Sequence, residues 1–445
     1  MNDNELNIPR ILIISGAPLD DNRGISSTLV NFFANYDPDR IAQVYFETVE
    51  PHTRLCNSFF QISEIAQVKK FFKWNTQVGK VILQSSDLKS VDKNDVAYEQ
   101  KIGKLVRKHR SILFYYIREL VWLVGFWRNK RLRSFVKEFD PDVIWCESYP
   151  LPFMHRLCMY IAGIVDKPSV IFLQDDVYSY KSTRSILGYV NRYFLRKVVK
   201  QNILLCSGHF VASPTMKVEY DKIFGINSLF VTKGLDIENL PSVINSVEEP
   251  IRMVYMGNII YGRIFTLLEL AKTVNDLNAT RSRFEVNIYT NNYLTPEQIA
   301  VLEASKGVNL CKPVPYNQVQ DIMNNHDVVL FMESFDRKYK DIARLSFSTK
   351  ITDCLASGKC IIAIGPSGIA PIDYLSKTDA AILINHIDKL EKTLDDIHPS
   401  DIVNYAKKAR LVAENNHSKN LMDARIFGEL IRVSNIKHEL CQKYQ

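Results

Sequence analysis

The chain has 445 residues, of which 46% are hydrophobic and 24% charged. That length fits about three ordinary units or two large ones, and with only 17 Gly and 17 Pro the composition excludes a disordered, collagen-like or Pro/Gly-rich chain. The net charge of +7 is uneven: Lys101 to Lys137 carries eleven Lys/Arg against one acid, Glu119, which leaves the rest slightly acidic. Such a segment needs a local partner, and anionic lipid, nucleic acid or a phosphorylated substrate are the candidates.

In chain order, the polar, acidic opening Met1 to Arg10 does not have the pattern of a signal peptide. Arg10-Ile-Leu-Ile-Ile-Ser15 is a first strand, followed by a loop with Gly16, Pro18 and Gly24 and a helix from about Ser26 to Ala34. A second strand fits Gln43 to Thr48. The alternation then breaks over about 50–138 and resumes with the strand Val143 to Glu147, a helix from Pro152 to Ile164 and the strand Ser169 to Leu173. A helix over Ile186 to Gln201 and short strands at His209 to Ser213 and Ser228 to Thr232 complete this half. Short apolar runs between helical stretches indicate parallel strands buried on both faces, the doubly wound α/β class.

Asp236 to Pro250 is acidic, carries two prolines and lacks periodicity, so it reads as an interdomain linker. A second series follows: strands at Ile251 to Met256, Phe284 to Tyr289, Val328 to Met332, Cys360 to Ile364 and Ala380 to Ile384, with helices through Leu267 to Leu277, from Pro296 and over Thr349 to Ser357. Pro399 to about Val433 reads as long helices. The organisation expected is two Rossmann-like domains facing a cleft, 1–240 and 250–400, with C-terminal helices over 400–445 packing across it. The eight cysteines form no C-x-x-C pair and several lie in apolar runs, the pattern of reduced core cysteines in a cytoplasmic protein.

Within the basic segment, Ser111 to Trp127 is almost wholly apolar and aromatic, interrupted by Arg118 and Glu119. A spanning helix needs about 20 apolar residues, and a central charge costs about 2.5–3.5 kcal/mol, so a transmembrane span is not expected. Lys104, Arg107, Lys108 and Arg110 precede it, and Arg128, Lys130, Arg131 and Arg133 follow. Aromatic bodies with basic rims suit an interfacial helix on an anionic membrane surface. A buried helix with solvated basic ends is the alternative, and no nucleic-acid motif accompanies the charge.

Four places can carry chemistry. The Gly16–Gly24 loop leads into a helix whose N-terminus offers N–H donors to an anion, although an ordinary turn fits as well. Met256-Gly257-Asn258 ends a strand, and Gly262-Arg263 opens a helix; Arg263 there suits a diphosphate, or is a surface arginine. In Ser346-Phe-Ser348-Thr349-Lys350-Ile-Thr-Asp353-Cys-Leu-Ala-Ser-Gly358, the two serines are N-cap candidates and Gly358 a helix stop. Lys350 in the first turn opposes the helix dipole, which a bound phosphate would reverse; Asp353 lies one turn on, facing ribose hydroxyls or pairing with Lys350 on the surface. In Gln174-Asp175-Asp176, at the end of a strand, Asp176 can orient an acceptor or close a turn. His417 reads as a surface or interdomain residue. No cluster has metal-ligand spacing, and there is no P-loop, G-x-G-x-x-G or G-x-S-x-G motif.

Taken together, Met256-Gly-Asn258 with Gly262-Arg263, the Ser346 to Gly358 segment, Gly365-Pro366 and Asn415-Asn-His417 resemble the GT-B glycosyltransferases, in particular the family 4-like enzymes of bacterial capsule, O-antigen and exopolysaccharide synthesis. The resemblance implies a hexosyltransferase with a nucleotide-sugar donor and no metal or other cofactor. Arg263 and Lys350 would hold the diphosphate and stabilise its developing charge, with Gly257, Asn258, Ser348 and Thr349 around it; Asp353 would hold the ribose, and Gly24 would lie near the donor sugar. A lipid-linked or oligosaccharide acceptor, transfer with retention, and a cytoplasmic location on the inner face of the cell membrane are the further expectations. The family often has two glutamates eight positions apart. Here Asp353 takes the second place, and the first is Leu345, for which Asp341 or Glu333 could substitute. The missing acid keeps a non-catalytic nucleotide-binding scaffold open as an alternative, beside a sugar-nucleotide epimerase or hydrolase.

Overall fold

The computed structural model describes residues 8–21, 27–83, 112–315 and 318–436. Gly24 and the first part of the basic segment, 101–111, lie outside the described residues. The chain divides into two compact units. Unit 1 comprises Met1–Ala212, Lys217–Val231 and Asp423–Gln445; unit 2 comprises Ser213–Met216 and Thr232–Met422.

Unit 1 is built on β1 (Ile11–Ile14), β2 (Ile41–Tyr45), β3 (Ser58–Gln61), β4 (Lys80–Leu83), β5 (Val143–Ser148), β6 (Ser169–Leu173), β7 (Gly208–Val211) and β8 (Leu229–Phe230), in the sheet order β4-β3-β2-β1-β5-β6-β7-β8. All neighbours are parallel except β3 and β4. The helices are α1 (Ser27–Phe32), α2 (Glu64–Phe72), α3 (Ile112–Val124), α4 (Lys130–Phe139), α5 (Pro152–Val165), α6 (Ile186–Leu205) and, from Lys217 onward, α7 (Pro214–Phe224). The central strands are buried along their whole length, as runs such as ILII and VIWCES require. Trp145 of β5 is fully buried among Phe32, Phe33, Phe172 and Phe210.

Unit 2 contains β9 (Ile251–Met256), β10 (Phe284–Tyr289), β11 (Val308–Cys311), β12 (Val328–Met332), β13 (Cys360–Ile364) and β14 (Ile382–Ile384), all parallel, in the order β11-β10-β9-β12-β13-β14. Its helices are α8 (Arg263–Leu277), α9 (Pro296–Ala304), α10 (Val319–Asn324), α11 (Arg337–Ala343), α12 (Lys350–Ala356), α13 (Ala370–Lys377), α14 (Leu390–Asp395) and α15 (Pro399–His417); α16 (Lys419–Ser434) begins here and runs into unit 1. The order reverses between β9 and β12, and the carboxyl ends at such a switch point are where open α/β sheets place ligands.

Several expected elements have the observed bounds, among them Ser169–Leu173, Ile251–Met256, Phe284–Tyr289 and Cys360–Ile364. The stretch read as an interruption differs: β3, α2 and β4 lie within it and extend the sheet of unit 1. β4 is an antiparallel edge strand with little burial, so it lacks the apolar run that marks a central strand. Asp236 to Pro250, read as a linker, belongs to unit 2, where Ile244 N–H donates to Gly358 O at 3.0 Å. α3 is anchored on its inner side. Trp122 is buried and stacks on Phe153 at 4.0 Å; its Nε1 and the Nε of Arg118 both donate to Glu64 Oε1, at 2.7 and 2.6 Å. Glu119 pairs with Arg156.

Replacing Trp145 by Ala would empty the centre of the aromatic cluster in unit 1, and aromatic-to-alanine changes of this kind cost about 3–5 kcal/mol. Urea unfolding followed by near-ultraviolet circular dichroism should show the unit 1 transition moved to lower denaturant; an unmoved transition would contradict the packing.

Candidate functional site in the second unit

The site lies where β9 and β12 end. Arg263 is the first residue of α8, preceded by Gly262 in the left-handed region (φ +76°), where a Cβ would meet the Tyr339 ring at 2.5 Å and Ser334 Oγ at 2.6 Å. Glu333 follows β12 directly. Its carboxylate accepts from Arg263 at two points, Nε at 3.0 Å and Nη2 at 2.7 Å, while Arg263 Nη1 donates to Asn258 Oδ1 at 2.6 Å. Both side chains are shielded, Glu333 at 5% exposure and Arg263 at 14%. Burial works against the Arg263 charge, and the Glu333 carboxylate more than offsets it, so its pKa is raised.

Lys350 opens α12 and lies over the Tyr255 ring, its Nζ 5.4 Å from the centroid. It runs along the backbone of Gly257, whose φ of +148° disfavours any residue with a side chain. Burial, followed by the like charge of Arg263, lowers its pKa to about 8. Ser348 Oγ accepts from Lys350 N–H at 3.3 Å. Thr349 occupies the N-cap position without a side-chain cap bond, so neither serine is the N-cap residue.

Beside these cations opens a cavity of about 300 Å³. Gly257 and Asn258 after β9, Tyr289 to Asn292 after β10, Pro313 and Val314 after β11, and Lys350 and Asp353 of α12 line it. Asn292 fixes the rim by accepting from Ile259 N–H at 2.7 Å. Asp353 is paired through Oδ1 with Lys233 Nζ at 2.6 Å, both side chains being 19% exposed. The backbone beside Lys233 is pinned: Leu235 N–H donates to His417 O, and Lys419 N–H to Leu235 O, each at 2.7 Å.

The structure thus brings together Gly257, Asn258, Arg263, Ser348, Lys350 and Asp353, with Thr349 at the adjoining helix start. Asp176 lies in unit 1. Its carboxylate accepts from Tyr178 N–H, Ser179 N–H and Oγ, and Tyr220 Oη, which is the turn arrangement. His417 is fully buried and bonded to Tyr374 Oη at 2.6 Å, so it is not a surface residue. Sequence reasoning missed Lys233, which precedes a glycine in a stretch without motif or period. It also missed Glu147, a buried carboxyl near the end of β5 that accepts from Tyr149 Oη and Gln174 Nε2 and that burial pushes up to about 7. Among the described residues no group of three or more His, Cys, Asp or Glu could hold a metal ion.

No family model and no curated protein matches the chain. Solved structures do. TarM is 11% identical with a TM-score of 0.59, over 95% of this chain and 99% of that one. A trehalose-6-phosphate enzyme from E. coli bound with UDP-2-fluoro glucose is 8% identical with a TM-score of 0.54, over 95% and 99%. The UDP-forming α,α-trehalose-phosphate synthase of Burkholderia vietnamiensis is 10% identical with a TM-score of 0.52, over 95% and 100%. The fold is GT-B. At this identity the likeness shows the GT-B architecture alone, and the chemistry has to come from the residues above.

Two outcomes follow. Binding of UDP, followed by calorimetry, should weaken as pH rises through about 8, by up to about tenfold per pH unit, because only protonated Lys350 attracts the anion. A Lys350→Met variant should bind more weakly and lack this decline; a flat profile in the unaltered protein would contradict the assignment. Lys233→Met would leave the Asp353 carboxylate without this cation beside an anion site and should raise the dissociation constant for UDP about tenfold, with Lys233→Arg restoring most of it.

Proposed function

We propose that this chain is a glycosyltransferase that moves a hexosyl group from a nucleotide-sugar donor to a lipid-linked or growing polysaccharide acceptor. The observation that carries the reading is the joining of Arg263 and Lys350 to a cavity of nucleoside size that ends at Asp353, all at the switch point of the unit 2 sheet. Solved neighbours are bound with UDP-2-fluoro glucose in one case and with UDP and α-GlcNAc-glycerol in another, which makes UDP-sugars the first donors to test.

In this reading the nucleoside occupies the cavity, Asp353 accepts from ribose hydroxyls, and the diphosphate lies against Arg263 and Lys350. The bond between the anomeric carbon and the diphosphate oxygen breaks, and its electron pair stays on the diphosphate. The acceptor oxygen bonds to the anomeric carbon, and its proton passes to the leaving diphosphate on the same face, giving retention. The protein's largest contribution is to hold the two cations where that charge builds up. No step requires a metal. The proposed setting is cytoplasmic, peripheral on the inner face of the cell membrane, with roles in capsule or O-antigen synthesis as the family resemblance implies.

Leu345 at the place of the first family glutamate, together with the engagement of Glu333 by Arg263, favours one second reading, a nucleotide-binding GT-B scaffold without turnover. Transfer assays with a panel of UDP-sugars and polyprenyl-linked acceptors separate the two. Sugar transfer that falls about 100-fold or more in Arg263→Ala and in Lys350→Ala, with unchanged melting temperature, supports catalysis. UDP binding without transfer across the panel supports the scaffold, and unaltered rates in both variants would refute the site.

A further inference from the structure

Two helices of unit 1 present large apolar side chains to solvent. On α3, Leu120 is 61% exposed and Leu123 53%. On α6, Ile186 is 84% exposed, Val190 43% and Tyr193 52%, at the i, i+4, i+7 spacing of one helix face. The helices are neighbours, and Tyr116 Oη donates to Leu187 O at 2.9 Å, tying the middle of α3 to the start of α6. Exposed apolar area on this scale marks an interaction surface rather than ordinary surface scatter.

The charge around the surface selects its partner. α6 contains no acid, and the single acid of α3, Glu119, is taken up by Arg156. Exposed Lys181 and Arg184 precede α6, and exposed Lys197 and Lys200 lie further along it. Two other cations of α6 are used internally: Arg192 donates to Asp176 O, and Arg196 to Tyr178 O while covering the Tyr178 ring at 3.8 Å. An apolar strip with an aromatic, flanked by cations and free of unpaired acids, fits the headgroup boundary of an anionic bilayer. A protein partner with an acidic rim would satisfy the cations equally, but a second copy docked through this same face would set cations against cations, since α6 has no acid and Glu119 of α3 is paired with Arg156.

We infer that the outer faces of α3 and α6 together form a docking surface for an anionic lipid bilayer, with α6 the principal contact. The inference rests on the peripheral-membrane part of the proposed function and is independent of the donor site. It moves the contact away from the basic flanks and onto a helix whose sequence reads as ordinary. α3 serves as a fixed rail, since its inner side is held by Glu64, Phe153 and Arg156.

Flotation of the full chain with phosphatidylglycerol/phosphatidylcholine vesicles tests it, beside pure phosphatidylcholine vesicles and size-exclusion light scattering. The protein should float with the anionic vesicles and be monomeric without them. Ile186→Glu/Val190→Glu and, separately, Leu120→Glu should each lower the bound fraction about tenfold or more, while circular dichroism and UDP affinity stay unchanged. Variants that float as well as the unaltered protein would overturn the surface and leave peripheral association standing. An unaltered protein that stays soluble would overturn both. A dimer that the α6 variant dissociates would assign the face to a second copy and overturn the inference, and lost UDP binding in the unaltered protein would count against the donor site alone.

Discussion

The paired Arg263 and Glu333 are the point around which unit 2 organises its chemistry. Neither group could be shielded alone, since an unpartnered charge at this depth costs several kcal/mol. Glu333 is placed by the end of β12, and Arg263 by the start of α8, so the pair locks a strand terminus to a helix terminus. Asn258 then holds the remaining guanidinium nitrogen, and the loop after β9 takes its course from that bond. Lys350 comes next to an arginine that is already neutralised, which is what makes a second cation tolerable there. Its lowered pKa records the part of the repulsion and burial that remains.

The parallel sheets were readable because their central strands are short apolar runs that no amphipathic helix could produce. Cys360-Ile-Ile-Ala-Ile364 is such a run, and β13 has those bounds. β4 and β11 were not readable, since edge positions relax the demand for burial that writes the pattern, and β3 was not because its four residues, SFFQ, hold too short an apolar run. For the site, Lys350 stood out because a cation in the first turn of a helix conflicts with the dipole, and a local conflict is a functional signal, whereas Arg263 stood out by its place after Gly262 at a helix start. Lys233 carries no such conflict. It acquires meaning only from a contact 120 residues away, and a contact at that separation leaves no trace in local pattern.

The same reasoning explains the surface of unit 1. α3 and α6 are both rich in apolar residues on several sides, so periodicity cannot say which side faces the core. For α3 the answer comes from Trp122 and Arg118, whose shared acceptor Glu64 sits on α2. For α6 it comes from Leu195, Val199 and Ile203, which are buried and leave the opposite side exposed. Sequence charge drew attention to the segment before α4, but the exposed apolar area is greatest on a helix about sixty residues further on.

Glu333 and Asp353 each hold one cation of the candidate site, Arg263 and Lys233, while Lys350 lies over the Tyr255 ring. Three cations, Arg263, Lys350 and Lys233, face two carboxylates, which leaves a single excess positive charge in the unliganded site. In the proposed reaction a diphosphate would enter by exchange: it would compete with Glu333 for Arg263, and its affinity would be the difference between two sets of charge-assisted bonds. As the bond to the anomeric carbon broke in that reaction, charge would grow on the diphosphate and not on Glu333, so the balance would shift toward the leaving group at the moment when stabilisation is needed. On the proposed reading, such a site would bind its ground state modestly and its transition state more strongly, the condition under which binding energy appears as rate.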